Sequence, residues 1–208
     1  MRNMQQKLVL ATRNKGKIRE FRRILDEHGS ELIELVGLEN FPHLTDVEET
    51  EDSFLGNALL KAQTICRQTG LPAIADDSGL CIDALNGDPG IYSARWSGVH
   101  GNDQANIEKV LRELVDVADD DRMAHFTCVA ALALPDGRSA SAQGILRGRI
   151  LRQQIGAHGF GYDPIFLPEG SEISLAQYEG QAKDEISHRG QSLRAIAPKI
   201  ASMLATLG

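Results

Sequence analysis

Short apolar runs alternate along the chain with stretches whose apolar residues recur at helical spacing. The run 7–11 predicts a buried strand. The stretch 15–28 predicts a helix that carries an apolar face of four residues, Ile18, Phe21, Ile24 and Leu25. Residues 31–36 predict a second strand. A second helix is expected over 53–69, because glycine and proline follow it.

The second half of the chain continues the alternation and adds a tight turn. A helix is expected over 102–117 and a final helix over 191–207, each with an apolar stripe. Two strand-like segments, 123–134 and 138–146, flank Pro135-Asp136-Gly137. This turn chemistry predicts an antiparallel β-hairpin.

The stretch 73–83 contains two adjacent aspartates within an apolar segment. A short apolar strand runs into Asp76, Asp77 and Ser78, after which apolar residues resume. Adjacent side chains of an extended segment point to opposite faces, so one carboxylate is expected to face a cleft and the other the structure. Carboxylates at a strand end suit Mg²⁺, which prefers oxygen ligands. A surface turn is the alternative, since Asp, Ser and Gly also form turns.

Cations are concentrated between the first strand and the first helix. The order there is Thr12, Arg13, Asn14, Lys15, Gly16 and Lys17. Free backbone N–H groups, the helix dipole and lysine side chains all favour phosphate at such a helix start. The glycine spacing of the phosphate-binding loop G-x-x-x-x-G-K-[ST] is absent. The segment therefore indicates either an anion site or a solvated basic first turn.

Other charged residues have simpler interpretations. The acidic run 46–52 indicates a solvated loop, and its place before a helix also suits the helix dipole. Lys61, within the second predicted helix, is expected at the surface. Arg95 lies in the Gly- and Pro-rich loop 87–98. It is expected either to hold a phosphate or carboxylate, or to be a structural cation near the aspartate pair.

Two segments near the C-terminus have the composition of ligand-binding loops. In 156–164, glycines alternate with aromatic residues, which suits a backbone that approaches a flat ligand closely. A tight loop with its aromatic side chains in the core is the alternative. Farther on, Lys183 precedes His188 and Arg189, which are expected just before the final helix. Donors there suit an anionic or carbonyl acceptor, and a structural role for the histidine is the alternative.

Composition restricts the class of protein. The 208 residues, 42% hydrophobic and 25% charged, indicate one domain over 1–208, or one domain with two lobes. The net charge of -7 argues against a general binder of nucleic acid or anionic membranes. Cys66, Cys81 and Cys128 are expected to be reduced core thiols. The first apolar run is too short for a signal peptide, so a cytoplasmic location is expected.

Six motifs occur in order along nearly the whole chain. They are Thr12-x-Asn14-x-x-Lys17, Glu48-Glu49-Thr50, Ala75-Asp76-Asp77-Ser78-Gly79-Leu80, Pro89-Gly90-Ile91-Tyr92-Ser93-Ala94-Arg95, Gly159-Phe160-Gly161-Tyr162-Asp163-Pro164 and Ser187-His188-Arg189. Each motif is moderately specific by itself. In this order and at this spacing they resemble the inosine/xanthosine triphosphate pyrophosphatase family, which removes deaminated purine nucleotides.

The resemblance implies a fold and an activity. The implied fold is an elongated two-lobed α/β structure with a long mixed central sheet flanked by helices and an active-site cleft between the lobes. The implied activity is the Mg²⁺-dependent hydrolysis of dITP, ITP and XTP to the monophosphate and pyrophosphate, which keeps these nucleotides out of nucleic acids. The implied assembly is a homodimer. No nucleic-acid or membrane partner is expected, on the grounds of net charge given above.

The resemblance also implies roles for particular residues. Asp77 is the catalytic base and a metal ligand, with Glu49 as the second acidic ligand. Substrate binding is implied for Thr12, Arg13, Asn14, Lys15, Gly16 and Lys17 at the triphosphate, and also for Ser78, Phe160, Gly161, Tyr162, Asp163, Lys183, His188 and Arg189. Asp76 and Lys61 match further polar active-site positions. Arg13 and Glu51 stand where the family often has glycine, which affects the backbone path around the phosphates and the charge near the metal.

Three other functions are compatible with the sequence. The first is a pyrophosphatase for other modified nucleotides, such as modified pyrimidine triphosphates. The second is a non-catalytic nucleotide- or RNA-binding module. Its weakness is the adjacent carboxylates, which repel a polyphosphate unless a metal ion intervenes. The third is a partner-binding protein whose motifs are simply loops.

Overall fold

A computed structural model describes residues 6–27 and 33–207. The first half of the chain contains β1 (Gln6–Leu10), α1 (Lys15–Glu27), β2 (Ile33–Gly37), α2 (Phe54–Thr69) and β3 (Ala73–Ile82). The second half contains α3 (Asp103–Glu113), β4 (Met123–Ala133), β5 (Ser139–Ile150), β6 (Phe166–Pro168), α4 (Gly180–Ile186) and α5 (His188–Ala205). The predicted end of the first helix at 28 and the predicted start of the second strand at 31 lie outside the described residues.

The strands form one mixed sheet. Their order is β2-β1-β3-β4-β5-β6. β1 pairs in parallel with β2 and β3, whereas β5 pairs antiparallel with β6. The predicted hairpin is confirmed, because β4 and β5 are neighbours and the Leu134 N–H closes their turn by donating to the Arg138 carbonyl at 2.9 Å. The α/β class and the mixed sheet are therefore as expected.

The ends of α2 show how the sequence encodes a helix. Ser53 has extended backbone angles, and its side-chain oxygen accepts a hydrogen bond from the Gly56 N–H. At the other end, Gly70 adopts the left-handed conformation with φ 68° and donates its N–H to the Cys66 carbonyl. A serine N-cap and a glycine C-cap satisfy backbone groups that would otherwise lack partners. These caps place Lys61 at the middle of a well-defined helix.

Internal contacts divide the chain into two compact units. Unit 1 comprises the described residues of 1–77, 128–144 and 189–208. In β1, Leu8 and Leu10 pack with apolar residues of α1 and α5, whereas Val9 packs with apolar residues of α2. Because successive strand residues face opposite sides, helices cover both faces of the sheet in unit 1. The predicted apolar stripes of α1 and α5 are buried here, as expected.

Unit 2 comprises residues 78–127 and 145–188 and has its own core. Its buried apolar residues come from the end of β3, from α3, β4 and β5, and from the segment around β6: Leu80, Ile82, Ile107, Val110, Leu114, Ala124, Phe126, Ile150, Tyr162, Ile165, Phe166 and Leu175. Unit 2 thus buries an apolar cluster of its own, and the two-lobed description stays a prediction. The active-site cleft between lobes stays a prediction.

The expected strand end at Asp76 and Asp77 is wrong. β3 continues through both aspartates to Ile82, because Leu80 and Ile82 are fully buried in the core of unit 2. Leu80 also donates its N–H to Ser93 Oγ at 2.9 Å. The two carboxylates therefore lie within a strand, and the alternative of a surface turn is also wrong.

Three other predicted boundaries need correction. α3 ends at Glu113 instead of 117, because the next residues form tighter turns in which Val115 donates to the Arg112 carbonyl. β5 extends to Ile150 because its last residues pair with β6. α5 begins at His188, not at 191, because Ser187 is already extended and ends α4. His188 and Arg189 thus form the first turn of α5.

The remaining expectations concern cysteines and membranes. Cys66, Cys81 and Cys128 are free thiols, as predicted, although Cys81 is only half-buried. Within residues 6–27 and 33–207, no helix combines the length and apolarity that crossing a bilayer requires.

Candidate active site

Asp76 receives cations from two helices of unit 1. Its Oδ2 atom lies 2.9 Å from Lys17 Nζ of α1 and 3.3 Å from Arg189 Nε of α5. The Asp76 side chain is fully buried. Burial by itself raises the pKa of this carboxyl group, but Lys17, Arg189 and, more distantly, Lys61 outweigh it and lower the pKa well below its usual range. Asp76 is therefore a carboxylate at any physiological pH.

The same network extends from Arg189 to Glu20. The guanidinium binds the Glu20 carboxylate through Nη1 and is itself almost completely buried. The Cys128 thiol and the Ser192 hydroxyl also belong to this network, with Cys128 Sγ 3.7 Å from Asp76 Oδ2 and Ser192 Oγ donating to Cys128 Sγ. Sequence reasoning missed Glu20. Its spacing of three residues from Lys17, which puts both on one helix face, was the available signal.

Asp77 contacts a different helix. Lys61 Nζ of α2 lies 3.2 Å from Asp77 Oδ1 and 2.8 Å from Glu49 Oε1. The Lys61 side chain is only 13% exposed, so the expectation of a surface lysine is wrong. Burial raises the pKa of Asp77 and the nearby Glu49 carboxylate adds to the rise, although Lys61 opposes it. Burial alone lowers the pKa of Lys61, but Asp77 and Glu49 reverse this and raise it.

The expected alternation of the two aspartates is confirmed. Asp76 shares its strand face with Ile74, which packs in the cluster of α1 and α5, and Asp77 shares the other face with Ala75, which packs in the cluster of α2. One strand therefore presents its carboxylates to different cations, with Lys17 and Arg189 at Asp76 and Lys61 at Asp77. The acidic run is otherwise exposed, as predicted, and Glu49 is its half-buried exception.

The Glu49 and Asp77 carboxylates fit a divalent cation. Both reach the same ammonium, and Asp77 Oδ2 is buried without a hydrogen-bond partner. Such an oxygen is a hard, anionic ligand of the kind that Mg²⁺ prefers. Across the described ranges, no group of three or more ligating side chains occurs. A pair of carboxylates still suits Mg²⁺, which keeps several waters or takes phosphate oxygens for its remaining positions.

The segment before α1 is ordered by its own side chains. Asn14 Oδ1 accepts the N–H groups of Gly16 at 2.9 Å and Lys17 at 3.1 Å, and Thr12 Oγ1 accepts that of Asn14 at 3.2 Å. Lys15 is exposed, whereas Lys17 turns inward to Asp76. The alternative of a solvated basic turn therefore fits Lys15 but not Lys17.

Arg13 is engaged by the acidic loop. Its Nη2 donates to the Leu44 carbonyl at 2.7 Å, and its Nε donates to Asp46 Oδ1 at 2.9 Å. This side chain holds the segment before Glu49 against the start of α1. Arg13 thus has a structural task, and its predicted contact with substrate stays a prediction.

Unit 2 contains a second polar cluster, at the glycine-rich loop. Asp163 Oδ2 accepts from Lys183 Nζ at 2.7 Å and from the Phe160 N–H at 2.9 Å. Lys183 Nζ also lies 4.8 Å from the centre of the Phe160 ring. Gly159 and Gly161 have φ angles of 79° and 61°, and a Cβ at Gly159 would collide with Asp163. The loop therefore holds Phe160, half-buried, beside a buried ion pair.

The remaining predicted site residues of unit 2 lie in the core, in the glycine-rich loop and on β3. Tyr162 is a core residue whose hydroxyl donates to the Ser93 carbonyl at 2.8 Å, which supports the core alternative for this aromatic residue. Gly161 donates its N–H to Asp103 Oδ2 at 2.8 Å, a contact that sequence reasoning missed. Ser78 is half-buried on β3.

His188 and Arg95 each lie against an aromatic ring of unit 2. The His188 ring stacks on Phe126 with centroids 4.7 Å apart and planes 10° apart, and His188 is buried. The Arg95 guanidinium lies 5.1 Å from the centre of the Tyr92 ring. Phe126 is a second residue that sequence reasoning missed, because an apolar residue within a strand carries no signal beyond core packing.

The fold and these charged groups define a mixed-sheet α/β protein whose inner strand carries an acidic pair matched by buried lysines. Such a set of groups suits a divalent cation and a polyanion. The chain belongs to the Ham1 family, whose family model matches residues 8–199.

Relatives resemble the chain over nearly its whole length. A dITP/XTP pyrophosphatase of Streptomyces coelicolor is 52% identical over 198 residues, which covers 95% of this chain and 98% of the relative. A dITP/XTP pyrophosphatase of Bacillus cereus is 47% identical over 202 residues, which covers 96% and 97%. Among solved structures, a HAM1 protein from Coxiella burnetii matches with a TM-score of 0.85 and 39% identity, over 95% of this chain and 99% of that one.

Proposed function

We propose that this chain hydrolyses the non-standard purine nucleoside triphosphates dITP, ITP and XTP to the monophosphate and pyrophosphate. Membership of the Ham1 family and the names of its curated relatives support this activity. The observation that carries the proposal is the arrangement around β3. There Glu49 and Asp77 share the Lys61 ammonium on one face, while Lys17 binds Asp76 on the other.

Mg²⁺ is the proposed cofactor, held by Glu49 and Asp77. When bound, it would neutralise phosphate charge and acidify a coordinated water. The buried, unpartnered oxygen of Asp77 supports this assignment. An acidic site needs such a cation before it can accept a polyphosphate.

Asp77 is the proposed base. In the reaction, the oxygen of a water molecule attacks the α-phosphorus, the bond to the bridging oxygen breaks, and pyrophosphate leaves. Asp77 orients this water and accepts its proton through an intervening water, because a carboxylate bound to a dication is itself a weak base. Little covalent work is left for the protein, so positioning and charge dominate the rate.

Lys17 and Lys15 are the proposed cations for the triphosphate, with Thr12, Arg13, Asn14 and Gly16 shaping their segment. Asn14 already satisfies two N–H groups in the first turn of α1, so lysine side chains supply more of the attraction than free backbone donors do. Lys17 has to exchange Asp76 for phosphate. Asp76 keeps Arg189 as a cationic partner when that happens.

The loop of unit 2 is the proposed base-binding element. The Phe160 ring suits stacking on a purine, a contact worth about 1–3 kcal/mol per base on comparable platforms. Asp163 and Lys183 fix this loop. The other residues proposed to contact the substrate are Gly161, Tyr162 and Ser78. His188 and Arg189 are the proposed donors to the 6-oxo group of hypoxanthine or xanthine. Adenine carries an amino group there, and a mismatch that leaves buried polar groups unpaired discriminates strongly.

The biological setting is part of the same proposal. We take the chain as one two-lobed domain that acts as a homodimer in the cytoplasm and prevents incorporation of damaged nucleotides, without nucleic-acid or membrane partners. Free thiols at all three cysteines support a reducing compartment. The net charge of -7 argues against nucleic-acid binding. Light scattering during size exclusion measures the oligomeric state.

The activity is tested by incubating the protein with ITP, XTP and ATP in Mg²⁺ and identifying products by mass. Monophosphate and pyrophosphate are expected from ITP and XTP, with far less product from ATP. Omission of Mg²⁺ serves as the control. Release of orthophosphate, or equal turnover of all three nucleotides, overturns the proposal.

A further inference from the structure

One ammonium group connects the two carboxylates that suit the metal ion. Lys61 Nζ lies 2.8 Å from Glu49 Oε1 and 3.2 Å from Asp77 Oδ1. The three side chains are mostly buried, with exposures of 13% for Lys61, 22% for Glu49 and 6% for Asp77. Together they carry one net negative charge. The ammonium therefore does part of what a dication would do.

We propose that Lys61 is the built-in counter-ion of the Glu49–Asp77 pair and that a divalent cation must displace its ammonium in order to bind both carboxylates. This inference rests on the proposed metal site. It gives Lys61 a task separate from contact with substrate, namely to set how tightly the site holds a metal ion by itself.

Electrostatics supplies the reason. Two buried carboxylates close together repel each other, and a cation between them removes that repulsion. A metal ion that arrives alone has to break both contacts of Lys61, and the released ammonium then lies close to the new dication. Both effects weaken binding of the metal. The two carboxylates therefore stay together without a metal ion, and their affinity for a metal ion alone is low.

The ammonium is an incomplete substitute for the dication. It contacts Asp77 Oδ1, whereas the buried Oδ2 of the same carboxylate has no hydrogen-bond partner. Leaving a buried carboxylate oxygen unsatisfied is unfavourable. The pair therefore retains capacity for a cation of higher charge, which makes displacement possible.

Displacement couples the metal to the nucleotide. A polyphosphate gives the released ammonium a new anionic partner, so the metal is expected to bind more tightly in the presence of phosphate. Linkage requires the reverse as well, with tighter phosphate binding in the presence of metal. The nucleotide and the metal ion are thus expected to bind with positive cooperativity, each more tightly in the presence of the other.

The test measures metal binding without any nucleotide. Lys61→Gln removes the counter-ion, Lys61→Arg keeps a charge, and Lys199→Gln removes an equal charge from an exposed position of α5. Mg²⁺ affinity is measured by calorimetry and Mn²⁺ affinity by the electron paramagnetic resonance signal of the free ion. We expect Lys61→Gln to bind both ions at least about tenfold more tightly than wild type, because a charge opposing the metal is gone. The metal affinities of Lys61→Arg and Lys199→Gln should stay near those of wild type.

Thermal unfolding supplies a second readout. In chelator, Lys61→Gln should melt below wild type, since the carboxylates then repel each other, and Mg²⁺ should raise its melting temperature more than that of wild type. Unchanged or weaker metal affinity in a folded Lys61→Gln protein overturns the inference.

Wild-type protein provides the measurement if Lys61→Gln does not fold. In protein labelled with ¹³C at lysine Cε, the Lys61 signal, assigned by its absence in Lys61→Arg, should shift as Mg²⁺ binds. A Lys61 signal that stays constant through saturation with Mg²⁺ overturns the inference. Failure of the proposed function is distinguishable, because hydrolysis of ITP by wild type is assayed separately from metal affinity.

Discussion

Asp76 and Asp77 are consecutive residues of β3, yet their carboxylates bind cations from different helices. Asp76 Oδ2 lies 2.9 Å from Lys17 Nζ, whereas Asp77 Oδ1 lies 3.2 Å from Lys61 Nζ. The alternation of strand side chains separates the two contacts although the residues are adjacent. Substitution of one aspartate is therefore expected to leave the contacts of the other in place, which allows their roles to be measured separately.

Asp77→Asn should reduce turnover of ITP by about a thousandfold or more, because an amide cannot accept the proton of the attacking water. The amide has the size of the carboxylate and retains an oxygen that can accept from Lys61, so the fold should persist. Pyrophosphate release gives the rate, and circular dichroism checks the fold. Asp83→Asn, which changes an exposed aspartate just after β3, is the control. Wild-type-like turnover by Asp77→Asn would contradict a catalytic role.

Lys17→Ala should weaken binding of a non-hydrolysable α,β-imido analogue of ITP by about tenfold or more, since it removes a charged contact to phosphate. Binding of free inosine should stay unchanged. Calorimetry with both ligands makes the comparison, and Lys15→Ala indicates how much any lysine of this segment contributes. Equal losses for the two ligands would count against a phosphate contact.

The same substitution should also reduce stability. Lys17 is one of the cations that compensate the buried Asp76 carboxylate. Its removal should lower the free energy of unfolding by about 2–4 kcal/mol, as expected when a buried ion pair loses one partner. Urea unfolding measures this, and the exposed Lys15→Ala variant should change it little. Equal stability of the two variants would show that the Lys17–Asp76 contact contributes nothing.

His188→Ala should narrow the preference for ITP over ATP, by about tenfold if the imidazole donates one hydrogen bond to the 6-oxo group. The measured quantity is the ratio of kcat/KM for the two nucleotides, which is insensitive to partial unfolding of the variant. His100→Ala, at an exposed histidine just before α3, is the matched control. An unchanged ratio places base recognition elsewhere. Arg189→Ala is less informative, because it also breaks buried contacts to Asp76 and Glu20.

Asp103→Ala should raise KM for ITP more than it lowers kcat. Asp103 accepts the Gly161 N–H at 2.8 Å, so its removal should loosen the backbone next to Phe160 without touching the acidic pair. Asp103→Asn keeps an oxygen acceptor and should restore most of the affinity. Initial rates over a range of ITP concentrations separate the two parameters. A KM equal to that of wild type in Asp103→Ala would rule out this positioning role.

Cys128 should resist alkylation in the folded protein. Burial, reinforced by the nearby Asp76 carboxylate, raises the pKa of its thiol to about 12. Iodoacetamide at pH 8 followed by peptide mass mapping should find Cys128 unmodified until denaturant is added. The raised pKa also determines how the free energy of unfolding changes with pH. The stabilisation is fully present below the pKa of an unfolded thiol, about 8.5, and is lost as pH rises towards the folded value. Alkylation of Cys128 in the folded protein at the rate found in denaturant would contradict this prediction.

Many features of the fold follow from local sequence. The apolar stripes of α1 and α5 and the turn at Pro135-Asp136-Gly137 are detectable because helix periodicity and turn chemistry depend on neighbours in the chain. The caps of α2 are local in the same way. The C-terminal end of β3 and the start of α5 were not predicted correctly. Burial of Leu80 in the core of unit 2 extends β3, and the extended backbone at Ser187 sets the start of α5.

Residue types and their order are readable from the chain alone: an acidic pair after an apolar run, lysines at a helix start, and aromatic residues among glycines. Those patterns are local, and they were sufficient for the resemblance to a family. Which charges meet depends on the folded chain. It paired Lys61 with Glu49 and Asp77, and it brought Glu20 and Arg189, far apart in sequence, into one buried network with Asp76. The reason is that ion pairing depends on distance and burial, which chain folding sets and sequence spacing does not.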